Sequence, residues 1–412
     1  MTQSSIVSTG LTEWIPAGDA EPPAIDRLLE AVMSALEEAD MMPSELDAIV
    51  CNTTALPFDE EQHIPLSSQH FSHRLADKLG LYEAECLNVS AACASTAIAM
   101  DTAASKIQTG SADTVLVAGV DNSPEGFFYQ GPSTLDTDKA ISYPLETVGV
   151  PNPAFWGMWA RRRAHEMGTS IEDLKNVMAT VKEIQSRNAA HNPRARYTQE
   201  FSKAEVLESP VVTDPLHLYM ICGISSGAGA AVVTNKEKST EYTDKPVDIA
   251  ASEVGSPVRS EPSPRLVQFA TAGGDRAGSP FVEWRKPIEA AYDAAGITED
   301  DLDIIECHDA SSFHTLNWLD QIMGWDRERT DQFVRDEEID RDGNLPVNLS
   351  GGSLSFGESV MSQGTMMVHE LVQQFRDDAG KRQARNDPET GLCTMYGAYG
   401  AYGAIVLENG WK

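Results

Sequence analysis

A chain that repeats its own segment order can adopt only a fold that can be built twice, and this chain carries such a repeat. In the first half, "AIDRLLEAVMSALEEADMMPSELDAIVCNTT" places apolar residues at 25, 28, 29, 32, 33 and 36, the spacing of one helix face. A turn at Pro43-Ser44 and a short apolar strand, 48–51, follow it. In the second half, "KPIEAAYDAAGITEDDLDIIECHDA" repeats helix, acidic turn and strand, so that Cys51 matches Cys307 and Asn52 matches His308. Further on, "NVS" at 88–90 and "NLSGG" at 348–352 each open a small-residue loop, and a helical stretch follows each, 97–107 and 365–375. Apolar segments at 114–120 and 228–235 close the first unit, and 391–410 closes the second.

Strands alternating with helices predict an α/β fold with buried sheets, and continuous apolar strands such as "TVLVAG" predict cover on both faces. The repeat divides the chain into halves, 1–240 and 241–412. Within the first, 121–205 breaks the alternation with Pro, Trp and Arg-rich sequence and reads as an inserted loop region. The polar stretch 236–280 joins the halves, with "PVDIAASEV" as its strand-like part.

Net charge excludes some functions. With 63 acidic against 31 basic residues, a formal charge of −32 repels a polyanion, so nucleic acid is not an expected partner. The excess suits a salty cytoplasm, and equally any acidic solvated surface. No run of about 18 apolar residues and no basic-then-apolar leader occurs, which predicts a cytoplasmic protein off the membrane. The six cysteines form no CxxC pair and no His/Cys cluster of zinc spacing, so neither a disulfide framework nor a metal site is expected.

Cys93 sits among small residues just before a helical pattern. A thiol at a helix N-terminus is favoured as thiolate by the helix dipole and free N–H groups, and small neighbours admit a thioester. Most free cysteines are instead small buried hydrophobes. His308 follows the strand "LDIIEC", and imidazole is the natural proton shuttle near neutral pH.

"NVSAACAS" in the first half, with "HDASS" and "NLSGGSLSFGES" in the second, resembles the thiolase-like superfamily of thiolases and ketoacyl synthases. "HNPRARYTQEFSKAEVLESPVVTDPLHLY" and "PVNLSGGSLSFGE" look most like sterol-carrier-protein-type thiolases and their bacterial and archaeal relatives. The resemblance spans residues 25 to 410. It implies a five-layered αβαβα thiolase fold, a homodimer, a site where the halves meet, and an acyl group carried on cysteine, here Cys93. It also makes a small OB-fold, zinc-ribbon partner subunit possible. No permanent cofactor is implied; coenzyme A or phosphopantetheine enters as a thioester substrate, on acyl-CoA or an acyl-carrier protein.

The chain departs from the family at three points. A second cysteine from HDCF would fall at Ala310, and one from the C-terminal CxG loop falls in "MYGAYGAYG", near Tyr396 with Cys393 displaced. The histidine of GHP is replaced by Glu358, and an ionised carboxylate there repels a developing enolate. What remains is Cys93, His308 and Glu358, facing one another across the internal two-fold, with the carboxylate holding the imidazole as in a nucleophile, base and orienter set. The expected activity is therefore acyl transfer or a non-standard, ketosynthase-like condensation. The alternatives are a thiolase with a relocated acid, at Cys393 or Tyr396, and a catalytically weakened scaffold subunit.

For CoA or carrier binding the candidates are Arg161, Arg163 and Arg194 in the arginine-rich insertion, against ion pairing with nearby acids. Gly397 and Gly400 of the "GAYGAYGA" loop are candidates for close approach of a thioester, against a tight strand-entry turn. Trp156, Trp159 and Phe155 read as a core stripe before a channel lining.

Overall fold

The computed structural model describes residues 3–17, 23–53, 70–121, 151–255, 282–397 and 401–412. Five strands belong to the first half: β1 (Ser4–Leu11), β2 (Ala48–Thr53), β3 (Glu85–Val89), β4 (Thr114–Asp121) and β5 (Ser225–Asn235). The second half supplies β6 (Val247–Gly255), β7 (Ile304–Cys307), β8 (Thr390–Gly397) and β9 (Ala401–Asn409). One sheet runs through all nine in the order β7-β8-β9-β6-β1-β5-β4-β2-β3, and Ile15–Pro16 pairs with β5 beside it.

The repeat read from the sequence appears here as repeated topology. From β1 outward the pairings with β5 and β4 are antiparallel, and those of β4 with β2 and β2 with β3 are parallel. From β6 outward, β9 and β8 pair antiparallel and β7 pairs parallel, and Val347 then bridges Ile305 in parallel as a fifth position. The two series meet where β1 pairs β6, through Ser5 with Asp248 and Ile6 with Val247.

Five helices make the layers. Helix α1 (Ala24–Glu38) packs on β1, β5 and β4, burying Ile25, Leu28, Val32 and Leu36 as the apolar spacing requires. Met33, at the edge of that stripe, stays partly exposed. Helix α2 (Phe71–Leu79) covers β2 and β3 beside it. Helix α3 (Ser95–Gln108) and the later Gln363–Arg376 contact each other and strands of both halves, so they form the middle layer. On the far side Val282–Ala295 packs against β6 and β9.

The insertion differs from expectation. Residues 122–150 lie outside the described residues, but the rest is not loop: α4 (Asn152–Met167) and α5 (Ile171–Ala189) fill it, followed by α6 (Val282–Ala295) in the second half. Pro151 stands at the N-cap of α4 and Gly168 closes it in the left-handed conformation, while the Ser170 hydroxyl caps α5 by accepting from the Asp173 N–H. Arginine-rich sequence hid the helix because Arg163 points inward. Its guanidinium is 3% exposed and donates to Asp320 and to Asp331 (2.7 Å). These two carboxylates come from α7 (Ser312–Met323) and from Arg327–Arg335.

Removing that guanidinium leaves buried Asp331 without its ion-pair partner and Asp320 with Arg327 at 3.8 Å. Arg163→Met should lower unfolding free energy by about 3–5 kcal/mol, read by chemical denaturation, while leaving the apparent affinity for a CoA thioester nearly unchanged in whatever fraction folds. A large rise in KM with no loss of stability would assign Arg163 to ligand binding instead.

Candidate functional site

Three loops at the ends of the repeated units form the site. After β3, the Ser95 hydroxyl accepts from the Ala91 N–H (2.7 Å) and donates to the Ala92 carbonyl (2.6 Å), tying a turn that leads into α3. Cys93 occupies that turn, buried against Val360 and Met361. At the equivalent position of the second half, a short helix α8 (Gly352–Phe356) runs into Gly357 and Glu358 before α9 (Gln363–Arg376) begins. Gly357 has φ +82°, and a Cβ there would lie 2.1 Å from the Ser225 hydroxyl oxygen, so this bend requires glycine. Glu358 is fixed through its backbone: its N–H donates to Gly223 (2.6 Å) and its carbonyl accepts from Ser225 (2.8 Å).

His308 leaves β7 between these loops. Its Nε2 lies 2.6 Å from Glu358 Oε2, and its Nδ1 lies 3.1 Å from the Tyr396 carbonyl. A carbonyl only accepts, so Nδ1 carries a hydrogen, and a single further proton is shared between Nε2 and the carboxylate. Burial disfavours the imidazolium, but the charge and hydrogen bond of Glu358, with the Asp309 charge and the Tyr396 carbonyl, together outweigh it, and the His308 pKa rises above its ordinary value. The Cys93 sulfur, a His308 ring nitrogen and a Glu358 oxygen all lie within 4.8 Å of one another, and all three residues are buried. Glu358 Oε1 is buried with no well-formed hydrogen bond.

The expectation of a thiolate at Cys93 is overturned. The residue does stand at the start of α3, but burial pushes its thiol well above the ordinary range, and the charge and hydrogen bonding of Glu358, then Asp121 and Cys222, push it further. Desolvation beside a carboxylate outweighs the partial positive charge of one helix end. Cys93 therefore rests protonated, facing a base.

Residues behind the triad were not singled out in the sequence. Asp309 Oδ1 accepts from the Ser353 N–H (2.6 Å), and Lys182 from α5 donates to the Leu354 carbonyl (2.8 Å) and the Ser355 hydroxyl (3.3 Å). Together they anchor α8, which carries Glu358 at its end. Burial raises Asp309 to about 7 and lowers Lys182 to about 8. Cys222 is a second thiol electrostatically coupled to Glu358 and to Cys93, and burial is the main cause of its own raised pKa. The only linear hint was the position of Asp309 beside His308; Lys182 and Cys222 are brought in by tertiary packing.

Other candidates lie apart from the triad. Arg161 pairs with Asp214, and Arg194 donates to the Leu11 carbonyl. Gly397 ends β8, where a Cβ would lie 2.1 Å from the Ala91 carbonyl oxygen, so it permits the approach of β8 to the Cys93 turn. Gly400 lies outside the described residues. Cys393 is buried within β8, opposite Ile405. Tyr396 offers its carbonyl to His308 while its ring stacks on Trp284 at 4.9 Å. Trp156 and Trp159 pack edge-on against His314, as a core stripe would.

A duplicated αβαβα fold with a cysteine and a histidine at the meeting of its halves defines a thiolase-type enzyme, and comparison with known proteins agrees. The thiolase N-terminal domain family matches residues 5–237 and the thiolase C-terminal domain-like family residues 278–409. The chain belongs to the thiolase family and is an acyltransferase. An acetyl-CoA acetyltransferase of Methanothermobacter thermautotrophicus is 30% identical over 93% of both chains. The benzoylsuccinyl-CoA thiolase subunit BbsB of Thauera aromatica is 29% identical over 76% of both, and human sterol carrier protein 2 is 24% identical over 92% of this chain and 67% of its own. Among solved structures, an Ltp2-ChsH2(DUF35) aldolase superposes with a TM-score of 0.81 at 23% identity, covering 100% of this chain and 98% of that one. That likeness is one of fold.

The burial of Asp309 makes stability depend on pH. Unfolded, its carboxyl ionises near 3.8; folded, near 7. Between these values the unfolded chain binds fewer protons, so stability falls as pH rises across the window, by on the order of 4 kcal/mol at most from this group. Asp309→Asn keeps an acceptor for Ser353 and should flatten this part of the dependence; equal slopes for wild type and variant in denaturation from pH 4 to pH 7 would refute the assignment.

Proposed function

We propose that this protein transfers an acyl group from acyl-CoA through a thioester on Cys93. The observation behind the reading is the contact of His308 with Glu358 beside a protonated, buried Cys93. As the thiol attacks the thioester carbonyl, its proton passes to Glu358, and the imidazolium of His308 steadies the carboxylate and fixes its orientation. The tetrahedral intermediate expels CoA thiolate, which takes up a proton and leaves as CoA-SH. An acceptor then loses its proton to the same pair and attacks the acyl-Cys93 thioester, returning the thiol.

The carboxylate at 358 favours an acceptor with an O–H or N–H group over a carbon acid. An enolate needs neutral or positive donors, whereas His308 Nε2 is engaged by Glu358 and the free oxygen of Glu358 is an acceptor. A CoA donor is supported by the acetyl-CoA acetyltransferase name of the 30% identical relative, ahead of a carrier protein. BbsB is named as a subunit, which supports a partner subunit for this chain, either a second copy or an OB-fold, zinc-ribbon protein. A second reading, thiolysis with a relocated acid, is favoured by Cys222, whose thiol is coupled to both Glu358 and Cys93; Cys393 lies inside β8.

Intact-mass measurement after incubation with a panel of acyl-CoAs should show one acyl adduct on wild type and none on Cys93→Ala. Glu358→Gln should slow adduct formation about 10²–10⁴-fold, the usual worth of a positioned base. Failure of every acyl-CoA, with loading from an acyl-carrier protein, would replace the donor; absence of any adduct would overturn the reading. Transfer retained by Cys222→Ser speaks for the acceptor mechanism, whereas loss confined to thiolysis speaks for the second reading.

A further inference from the structure

A carboxylate at position 358 changes which ligands the three site residues can hold. Cysteine, histidine and glutamate donors occur together in the zinc chemistry of proteins, as soft sulfur, borderline nitrogen and hard oxygen that one borderline ion accepts. Here the Cys93 sulfur, a His308 ring nitrogen and a Glu358 oxygen lie within 4.8 Å of one another, without any rearrangement of the backbone. A tetrahedral zinc ion holds its ligands at about 2.0–2.3 Å and therefore roughly 3.5 Å from each other, a span the group encloses.

Two features independent of the spacing point to a cation. Glu358 Oε1 is fully buried with no well-formed hydrogen bond, and the weak bond the Cys93 thiol offers this carboxylate is one that a bound ion would replace. The other ring nitrogen of His308 is tied to the Tyr396 carbonyl at 3.1 Å, the outer-shell arrangement that fixes the tautomer and orientation of a metal-ligating histidine. The charges also balance. The Cys93 thiol carries one proton and the His308 Nε2–Glu358 hydrogen bond holds another, so a dication that takes the place of both leaves the net charge unchanged. Binding therefore exchanges one divalent ion for two protons, and no net charge is buried.

We propose that Cys93, His308 and Glu358 form a binding site for one thiophilic divalent cation, Zn2+ by its donor set, and that the bound ion withholds Cys93 from acylation. The ion enters between the imidazole and the carboxylate: the His308–Glu358 hydrogen bond breaks, the two protons leave to solvent, and the sulfur lone pair that attacks a thioester is coordinated instead. No oxidant or further reactant takes part. The site is separate from the question of which acyl group the enzyme carries. Cys222, though electrostatically coupled to the triad, is not among the three donors.

Cobalt(II) reports on such a site without any assay of transfer. Titration of the chelator-treated full-length protein with Co2+ should give a near-ultraviolet thiolate-to-cobalt band and intense visible bands of tetrahedral coordination, saturating at one equivalent. Zn2+ should bleach both. Cys93→Ala should lose the band, Cys222→Ala should keep it, and circular dichroism should show both variants folded. Glu358→Gln should weaken binding by on the order of 100-fold, since removing even outer-shell partners typically costs roughly 10–100-fold. Titration in buffers of different ionisation enthalpy should count two protons released. Zn2+ should also suppress alkylation of Cys93 by iodoacetamide, with recovery on chelation. A protein without the band, a band that survives Cys93→Ala, or an unchanged alkylation rate overturns the proposal. A band on a protein that forms no acyl adduct would retain the metal site and discard the acyl-transfer reading; an adduct without a band would do the reverse.

Discussion

The structure depends on one junction, the antiparallel pairing of β1 with β6. Only two residue pairs make it, Ser5 with Asp248 and Ile6 with Val247, and the Ser5 hydroxyl adds a bond to the Asp248 carboxylate at 2.6 Å. Because both strands are the first of their units, the pairing sets one repeat against the other around a local two-fold. α3 and α9 are thereby brought together in a middle layer, where each has strands of both halves to bury its apolar surface. Loops leading into those helices then converge, and the loops hold Cys93 and Glu358. The active constellation is a consequence of symmetry before it is a matter of particular side chains.

Within that frame the site is governed by desolvation. A carboxylate, an imidazole and a thiol share a pocket with almost no exposure, so each charge must be answered by a neighbour. His308 and Glu358 answer each other, and the Tyr396 carbonyl takes the remaining imidazole hydrogen. Cys93, out of water and beside the Glu358 carboxylate, stays protonated. The same logic extends outward: Asp309 and Lys182 sit buried with opposed pKa shifts, and both hold the short helix before Glu358. Loop 357–362 can therefore be bent at Gly357 and still place a carboxylate to within hydrogen-bonding distance.

Much of this was legible in the linear chain. The spacing at 25, 28, 32 and 36 gave α1 its buried face, and the matched pair Cys51 with Cys307 fell on the matched strands β2 and β7, with His308 the next residue after β7. Two readings failed for physical reasons. The arginine-rich stretch at 161–163 read as loop although it is helical, and Arg163 read as a ligand-binding candidate, because a guanidinium in the core is invisible until Asp320 and Asp331 arrive from more than 150 positions away. Helix-dipole reasoning favoured a thiolate at Cys93, because it counts the helix end and cannot count the water removed or the carboxylate added by the other half.

By itself, the amino-acid sequence determined that the fold is built twice, that a cysteine and a histidine stand at loops of the two units, and that a carboxylate replaces a neutral donor. Those facts are periodicities and identities, which survive in one dimension. Tertiary structure decided that His308 and Glu358 share a proton, that Cys93 rests as a thiol, and that Lys182 and Asp309 brace the loop between them. Each of those depends on distance and on exclusion of water, quantities that exist only once the two halves have closed on each other.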